Sequence, residues 1–345
     1  LAIKELHSSD PSEFQKESDM LCALATGNHK HLIKLLATYK FRGRYHLLFP
    51  YADNNLRGYW DHIGVPYWNR ETCLWFLNQA SGIASALNAI HNFEARVPLG
   101  SEQDRRGKYL TVAIAEAKFG RHGDIKPENI LWFNEMQDAE HGGILQIADF
   151  GLGRFHRLES RSKVDPRSVA GSLSYSPPEV ALGKAVSRAY DMWSLGCVFL
   201  EFVTWLLEGS SSIYKFSDQR LSKALDGAQD DTFFSLTTDG KITTGAVMRG
   251  GVTSWIDRLR KHPQYSEMVR DLLDIVQNHL LVIDTERRMK SDVLYKQLNK
   301  ILNRAKTEEK YLLGDVRTQK SADYTLARSN DTKVDGPLIR VVECK

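Results

Sequence analysis

Cysteine is scarce: Cys22, Cys73, Cys197 and Cys344 are the four in 345 residues, and their wide spacing forms no metal pattern. That excludes a disulfide framework and a zinc-finger arrangement, and it reads as reduced thiols in a cytosolic or nuclear protein. An excess of one charge is also missing. Lys and Arg number 46 against 43 Asp and Glu, a net +3, so nothing in the whole-chain charge argues for nucleic acid or a membrane surface as partner. No apolar run reaches the ~18 residues of a membrane span. The richest stretch, Trp193 to Leu207, contains Glu201 and reads as a buried helix. There is no signal peptide and no internal repeat. What remains is ordinary: 42% hydrophobic and 26% charged residues, enough for a sizeable core in one two-lobed unit or two domains.

Two short segments carry chemistry. His122-Gly123-Asp124-Ile125-Lys126-Pro127-Glu128-Asn129 is followed by Asp149-Phe150-Gly151. Together they bring two carboxylates, an amide and a lysine toward one point. Phosphoryl transfer needs that set: one Asp to orient and deprotonate a hydroxyl, a second Asp and an Asn to hold Mg²⁺, and a Lys to neutralise the transferring group. Asp124 fits the first role, Asp149 and Asn129 the metal roles, and Lys126 the last.

The run resembles the catalytic loop and metal-binding motif of the protein kinase family. His-Gly-Asp is also found in small-molecule kinases that phosphorylate aminoglycosides, but three stretches favour the protein kinases. Lys126-Pro127-Glu128 is similar to the Ser/Thr branch of the catalytic loop. Gly171-Ser172-Leu173-Ser174-Tyr175-Ser176-Pro177-Pro178-Glu179 resembles the end of an activation segment. Asp191-Met192-Trp193-Ser194-Leu195-Gly196 resembles the start of the buried helix beneath the catalytic loop. The resemblance covers roughly residues 1–303.

Along the chain, Leu1-Ala2-Ile3-Lys4 reads as a strand end and resembles the V-A-I-K strand, whose Lys holds ATP phosphates. Asp10-Pro11-Ser12-Glu13 starts a helix running to about Ala25. Glu17 lies in its apolar stripe with Phe14, Leu21 and Leu24, and an inward carboxylate needs a partner. Lys4 is that partner by resemblance. Residues 32–39 and 45–49 read as strands joined by a turn at Arg42-Gly43-Arg44. The resemblance then makes Pro50-Tyr51-Ala52-Asp53 the hinge. Phe49 is the gatekeeper, Pro50 and Ala52 offer backbone groups to adenine, and Leu131 lies in the nucleotide site.

A long helix is expected from Asn69 or Arg70 to about Asn92, with Leu74, Leu77, Ala84 and Leu87 on one face. Residues 93–120 read as an inserted surface loop. Ile130–Phe133 and Leu145–Ala148 form a hairpin that delivers Asn129 and Asp149 to one cluster. The activation segment, by resemblance, includes Gly151, Ser172 and Glu179, with Glu179 paired to Arg288. His122, Asp191 and Arg288 are structural supports. Residues 209–262 are rich in Ser, Gly, Thr and Asp, and form a second insertion. Amphipathic helices are expected over 264–282 and 291–303, and a flexible tail over 306–345.

The expected fold is α+β: a two-lobed kinase-like unit with an incomplete β-rich small lobe over 1–52 and a mainly helical large lobe over 53–305. The chain begins at Leu1, just before Lys4, so the glycine-rich loop and two strands of the family lie upstream; the resemblance implies a fragment with an open sheet edge. The implied activity is transfer of the ATP γ-phosphate to Ser or Thr hydroxyls of proteins with Mg²⁺, Ser172 standing where that branch carries a Thr. A pseudokinase scaffold and an aminoglycoside-type kinase are the rival readings. Gly123, where many kinases carry Arg, implies activity without strict dependence on loop phosphorylation.

Overall fold

The computed structural model describes residues 1–6, 29–92, 120–134, 142–149, 173–223, 229–240, 242–315 and 340–341. Residues 93–119 of the insertion expected at 93–120, the helix expected over 10–25 with Glu17, Gly151 and Ser172 lie outside these residues.

The small lobe is a mixed sheet of β1 (Ala2–Glu5), β2 (Ala37–Phe41) and β3 (Arg44–Phe49), with β11 (Arg340–Val341) on its edge, in the order β11-β1-β3-β2. β1 and β3 are antiparallel, with Lys4 opposite Leu47. β2 and β3 form a hairpin whose two loop residues, Arg42 and Gly43, both have positive φ, 48° and 83°. A mirror-image turn of that kind matches the natural twist of two strands, and Gly supplies one of the two positions without strain.

Two expectations need correction here. Residues 32–35 leave the sheet, because Leu32 and Ile33 are buried and dock on the large lobe instead, and bonding to β3 starts at Leu36, whose N–H donates to Leu48 O at 2.8 Å. Ile33 N–H donates to Ile147 O at 2.9 Å, and Ile147 N–H donates to His31 O at 2.8 Å. The edge of β1 is not open either: β11 pairs with it in parallel, Ala2 opposite Arg340 and Ile3 opposite Val341.

The large lobe follows. β4 (Asn54–Asn55) leads into α1 (Leu56–Ile63), and α2 spans Arg70–His91. Both helices are capped by asparagine: Asn55 accepts from Gly58 N–H and Asn69 from Thr72 N–H, at 2.9 and 2.8 Å. α2 buries Cys73, Phe76, Leu77, Ala80, Ile83, Ala84 and Leu87, as its spacing requires, while Leu74 sits half-buried at the edge of that face. Next come β5 (Ile130–Phe133) and β6 (Ile144–Ile147), the expected hairpin, and a one-turn helix α3 (Pro178–Ala181). Helix α4 (Ala189–Glu208) is long and apolar enough to cross a membrane, but it lies wholly inside the fold. Its Phe202 and Trp205 meet Tyr59 and Trp75 in tilted and edge-to-face contacts that form an aromatic centre.

The described part of residues 209–262, expected as an insertion, holds α5 (Ser210–Arg220), the small pair β7 (Ser222–Lys223) and β8 (Gln229–Asp230), the hairpin β9 (Phe234–Asp239) and β10 (Ile242–Met248), and α6 (Gly250–Leu259). The lobe closes with α7 (Glu267–Ile275), which continues to Leu280 as a wider turn, and with α8 (Ser291–Thr307). A tail beginning at Lys306 is corrected at its start. Helix α9 (Glu309–Leu313) buries Tyr311 and Leu312, and the Tyr311 hydroxyl donates to Asp271 at 2.8 Å. Cys73 and Cys197 are free and buried, and burial pushes the Cys73 thiol up to about 12.

His31 links the lobes. Its Nδ1 lies 2.8 Å from Leu145 O, and its ring rests on Gly82, where a Cβ would fall 2.0 Å from Nε2. No larger residue fits at 82. Burial, assisted by neighbouring Lys30 and His29, lowers the His31 pKa to about 4 against the backbone bond that raises it. The ring is therefore neutral in the fold, and its contribution to stability is complete above the ordinary value of 6.5. As pH falls from there to about 4, the unfolded chain takes up a proton that the folded chain refuses, and about 3 kcal/mol is lost. Urea midpoints measured across that window should therefore fall less steeply for His31→Gln than for the native protein. Parallel slopes would assign the pH dependence to other groups.

Candidate active site

The site is built where β5, β6 and the loop before β5 converge. Pro127–Asn129 forms a single tight turn ahead of β5, with Asn129 N–H donating to Lys126 O at 3.0 Å. Pro127 suits that first position because no N–H is needed there. Ala148 N–H donates to Asn129 O at 2.9 Å, which stitches the end of β6 to the start of β5. The Asn129 side chain donates to Asp124 O at 2.8 Å. The sequence places Asn129 and Asp149 at two ends of a hairpin, and the hydrogen bonds bring those ends together.

Buried His122 orders the loop from within. Its Nδ1 accepts the Asp124 N–H at 3.1 Å, so Nε2 carries the proton and donates to Ala148 O at 2.9 Å. One ring thus ties the loop to the strand end that carries Asp149. Asp191, at the start of α4, accepts from the N–H groups of His122 and Gly123 at 2.8 and 2.7 Å. It also meets His91 Nε2 at 2.9 Å. Burial opposes charge on Asp191, but the hydrogen bond and charge of His91, with the Gly123 N–H, outweigh it and hold the carboxyl below its ordinary value. His91 was not singled out from sequence. The available signal was a basic residue in the last turn of a long helix, where it meets the carbonyl end of the dipole.

Gly123 has φ 75°, and a Cβ there would meet only Arg121 Nε at 3.9 Å. The glycine therefore relieves a backbone angle, not crowding. Asp149 also has a positive φ, 59°, one of two such non-glycine residues among those described. A left-handed aspartate at a loop end is a strained conformation held by its surroundings, of the kind found where a side chain must be aimed.

Asp124 is nearly buried, with Lys126 Nζ at 3.1 Å from its Oδ2. Lys4 Nζ contacts Asp149 Oδ1 at 2.7 Å across the lobes. The expected partner of Lys4, Glu17, lies outside the described residues. The segment expected as the hinge follows β3: Phe49 and Ala52 pack half-buried against the core, as does Leu131 of β5, and Pro50 lies between. Asp53 ends that segment, its N–H donating to Trp132 O at 3.1 Å and its Oδ2 accepting from Asn134 N–H at 2.8 Å. Among the described residues no three His, Cys, Asp or Glu side chains gather as a self-sufficient metal cage. The nearby oxygen donors are instead one carboxylate and one amide. That set fits Mg²⁺, which keeps several waters and takes phosphate oxygens as further ligands.

Beside the 122–129 loop lies Leu173–Glu179. Tyr175 OH donates to Glu201 Oε2 at 2.8 Å, and Arg57 Nη2 donates to both, at 2.6 Å to the phenol and 2.9 Å to the carboxylate. Arg57 Nε also lies 3.7 Å from Glu128 of the catalytic loop. Burial, then the Glu201 charge, push the Tyr175 hydroxyl well above its ordinary value, so it stays a hydrogen-bond donor. Glu179 and Arg288 form the expected buried pair, with two parallel bonds of 2.8 and 2.9 Å. The triad of Arg57, Tyr175 and Glu201 was not read from sequence, since its members are far apart in the chain.

Residues 117–296, just over half of the chain, match a family model described as "Protein kinase domain". Cyclin-dependent kinase-like 5 of Mus musculus is 24% identical over 242 residues, 68% of this chain and 22% of that protein. A Dictyostelium discoideum protein described as "Probable cyclin-dependent kinase 8" is 28% identical over 212 residues, 59% of this chain and 47% of its own length. Cyclin-dependent kinase E-1 of Arabidopsis thaliana is 44% identical over 84 residues, 24% of this chain and 17% of that protein. The chain spans less than half the length of each of these relatives.

Proposed function

Because the chain belongs to the protein kinase family, we propose that it transfers the γ-phosphoryl group of ATP to serine or threonine hydroxyls of proteins. The observation that carries this reading is the stitching of the two site strands. His122 and Asn129 bond to the end of β6 while both grip the Asp124 backbone, so the base and the two metal-ligand candidates share one rigid frame.

In this reading Asp124 accepts the proton of the substrate hydroxyl, and Lys126, 3.1 Å away, holds its carboxylate and offers positive charge to the transferring group. Lys4 binds ATP phosphates, and Asp149 and Asn129 hold the metal. Bound Mg²⁺ supplies charge neutralisation on the phosphates. The Lys4–Asp149 ion pair already brings a phosphate-binding cation and a metal-binding carboxylate within 2.7 Å of one another. Phe49, Pro50, Ala52 and Leu131 frame the adenine. Preference for Ser and Thr is supported by Lys126 in the catalytic loop.

The test incubates the purified chain with labelled ATP, Mg²⁺ and a generic basic protein, with an aminoglycoside in parallel. Label is expected on phosphoserine and phosphothreonine of the protein. Label on the aminoglycoside would move the assignment to small-molecule kinases, and nucleotide binding with no transfer to either would make the chain a pseudokinase.

A further inference from the structure

The stretch between α4 and α6 holds a polar cluster that the proposed chemistry does not use. Arg249, just before α6, is buried and makes seven hydrogen bonds to one loop and its neighbours. Its guanidinium donates to Asp230 Oδ2 at 2.7 Å, to Asp230 O at 2.9 Å, to Thr232 Oγ1 at 3.0 Å and to Phe234 O at 2.8 Å. Arg220 is buried between the rings of Phe216 and Phe233, its guanidinium carbon 4.0 and 4.1 Å from their centroids, and its Nε donates to Asp231 O at 3.0 Å. Two arginines thus fix both the main chain and the side chains of residues 230–234. Burying a cation is costly unless it is engaged. Arg249 uses all three of its nitrogens on this loop and its neighbours, while Arg220 relies on its Nε bond, on Glu201 Oε1 at 3.4 Å from Nη2 and on the two rings, with Nη1 left without a hydrogen bond.

What the loop presents is Asp231. Its Oδ1 accepts from the Ser174 hydroxyl and its Oδ2 from Ser217 Oγ at 3.2 Å. Ser174 precedes Tyr175, which Arg57 joins to Glu128 of the catalytic loop. Leu173–Ser176 is therefore a wall beside the loop that carries Asp124. Its other anchors come from the body of the lobe: Ser194 Oγ donating to Tyr175 O at 2.8 Å, and Glu201 accepting from the Tyr175 hydroxyl. Asp231 is the anchor supplied by the inserted stretch.

We infer that Asp231 is a positioning residue for the protein substrate, acting through Ser174 to hold the 173–176 wall against the catalytic loop. The inference rests on the proposed protein kinase activity for its consequence, but the hold itself is measurable without activity. A carboxylate accepting from a buried hydroxyl is a charge-assisted bond, strong enough to change local opening by about tenfold or more.

The experiment measures hydrogen exchange and steady-state kinetics on the full chain and on Asp231→Ala, Asp231→Asn and Ser174→Ala. Asn keeps an acceptor for the Ser174 hydroxyl. Exchange of the 173–176 amides is expected to quicken about tenfold in Asp231→Ala and Ser174→Ala and to return close to native in Asp231→Asn, with helix 189–208 unchanged. KM for the protein substrate should rise about as much in the two Ala variants, with KM for ATP held within about twofold. Unchanged exchange at 173–176, or equal acceleration in helix 189–208, would overturn the inference, as would looser exchange with an unaltered protein KM. If native chain transfers no phosphate, the exchange result still decides whether Asp231 holds the wall, and the failure counts against the proposed activity alone.

Discussion

Asp124→Asn is expected to lower phosphoryl transfer to protein by about 10²- to 10⁴-fold while leaving nucleotide affinity nearly unchanged. The magnitude is that of a lost general base. Its cleanness follows from how the loop is held. The Asp124 main chain is fixed by His122 Nδ1 on its N–H and by Asn129 Nδ2 on its carbonyl, at 3.1 and 2.8 Å, and neither bond involves the side chain being changed. Asn has the shape of Asp and still accepts from Lys126, so the substitution removes the proton acceptor and little else. Of the proposed ATP contacts, Lys4, Asp149 and the hinge lie outside this loop, and Lys126 and Asn129 within it keep their side chains. Single-turnover transfer measured beside nucleotide titration checks the claim. A variant with full activity would remove Asp124 from the reaction, and equal losses in affinity and rate would show that the loop had collapsed.

The parts of this site that were legible in the sequence are those whose chemistry is written in consecutive residues. His122 to Asn129, the apolar hairpin runs at 130–133 and 145–148, and Asp191 at the head of an apolar helix each carry their own signal. The Glu179–Arg288 pair was legible because both lie in motifs that stand alone. The misses have a common cause. Residues 32–35 belong to an apolar run that reads as part of a strand, yet Leu32 and Ile33 find their partner in Ile147, more than a hundred positions away. The sheet loses them to packing that no local window reports. Arg220 and Arg249 were not singled out within their polar stretch, because burial of an arginine is decided by carbonyls and rings brought from elsewhere in the chain. Tyr311, Leu312 and Leu313 are a short apolar run in a charged segment. Packing against α2, α7 and α8, with Asp271 of α7 taking the Tyr311 hydroxyl, makes Tyr311 and Leu312 core.

Arg288→Met is expected to destabilise the fold by about 3–5 kcal/mol, the largest stability effect of any single change considered for this chain. The Arg288 side chain is fully enclosed and Glu179 is 2% exposed, so the pair has no water to fall back on. Arg288 makes more than the two bonds to Glu179. Its Nε donates to Val282 O and its Nη1 to Ala189 O, both at 2.8 Å, so it closes the end of the 276–281 turn and the head of α4 at once. Met fills the volume but leaves the Glu179 carboxylate without its partner and takes a donor from two carbonyls, and it is the stranded charge, not the loss of attraction, that dominates the cost. For a lobe of this size the midpoint of thermal unfolding should fall by roughly 6–20 °C. Lys at 288 should recover only part of the loss, since one ammonium cannot reproduce the parallel fork or reach the same carbonyls. The decisive comparison is the double variant Glu179→Gln with Arg288→Met. With the stranded charge removed, it should be more stable than Arg288→Met alone, a coupling of about 0.5–3 kcal/mol expected of residues in direct contact. Strictly additive losses, or an Arg288→Met protein within about 1 kcal/mol of native, would mean that Glu179 finds water or another cation, and that α3 and α4 are held together by apolar packing instead.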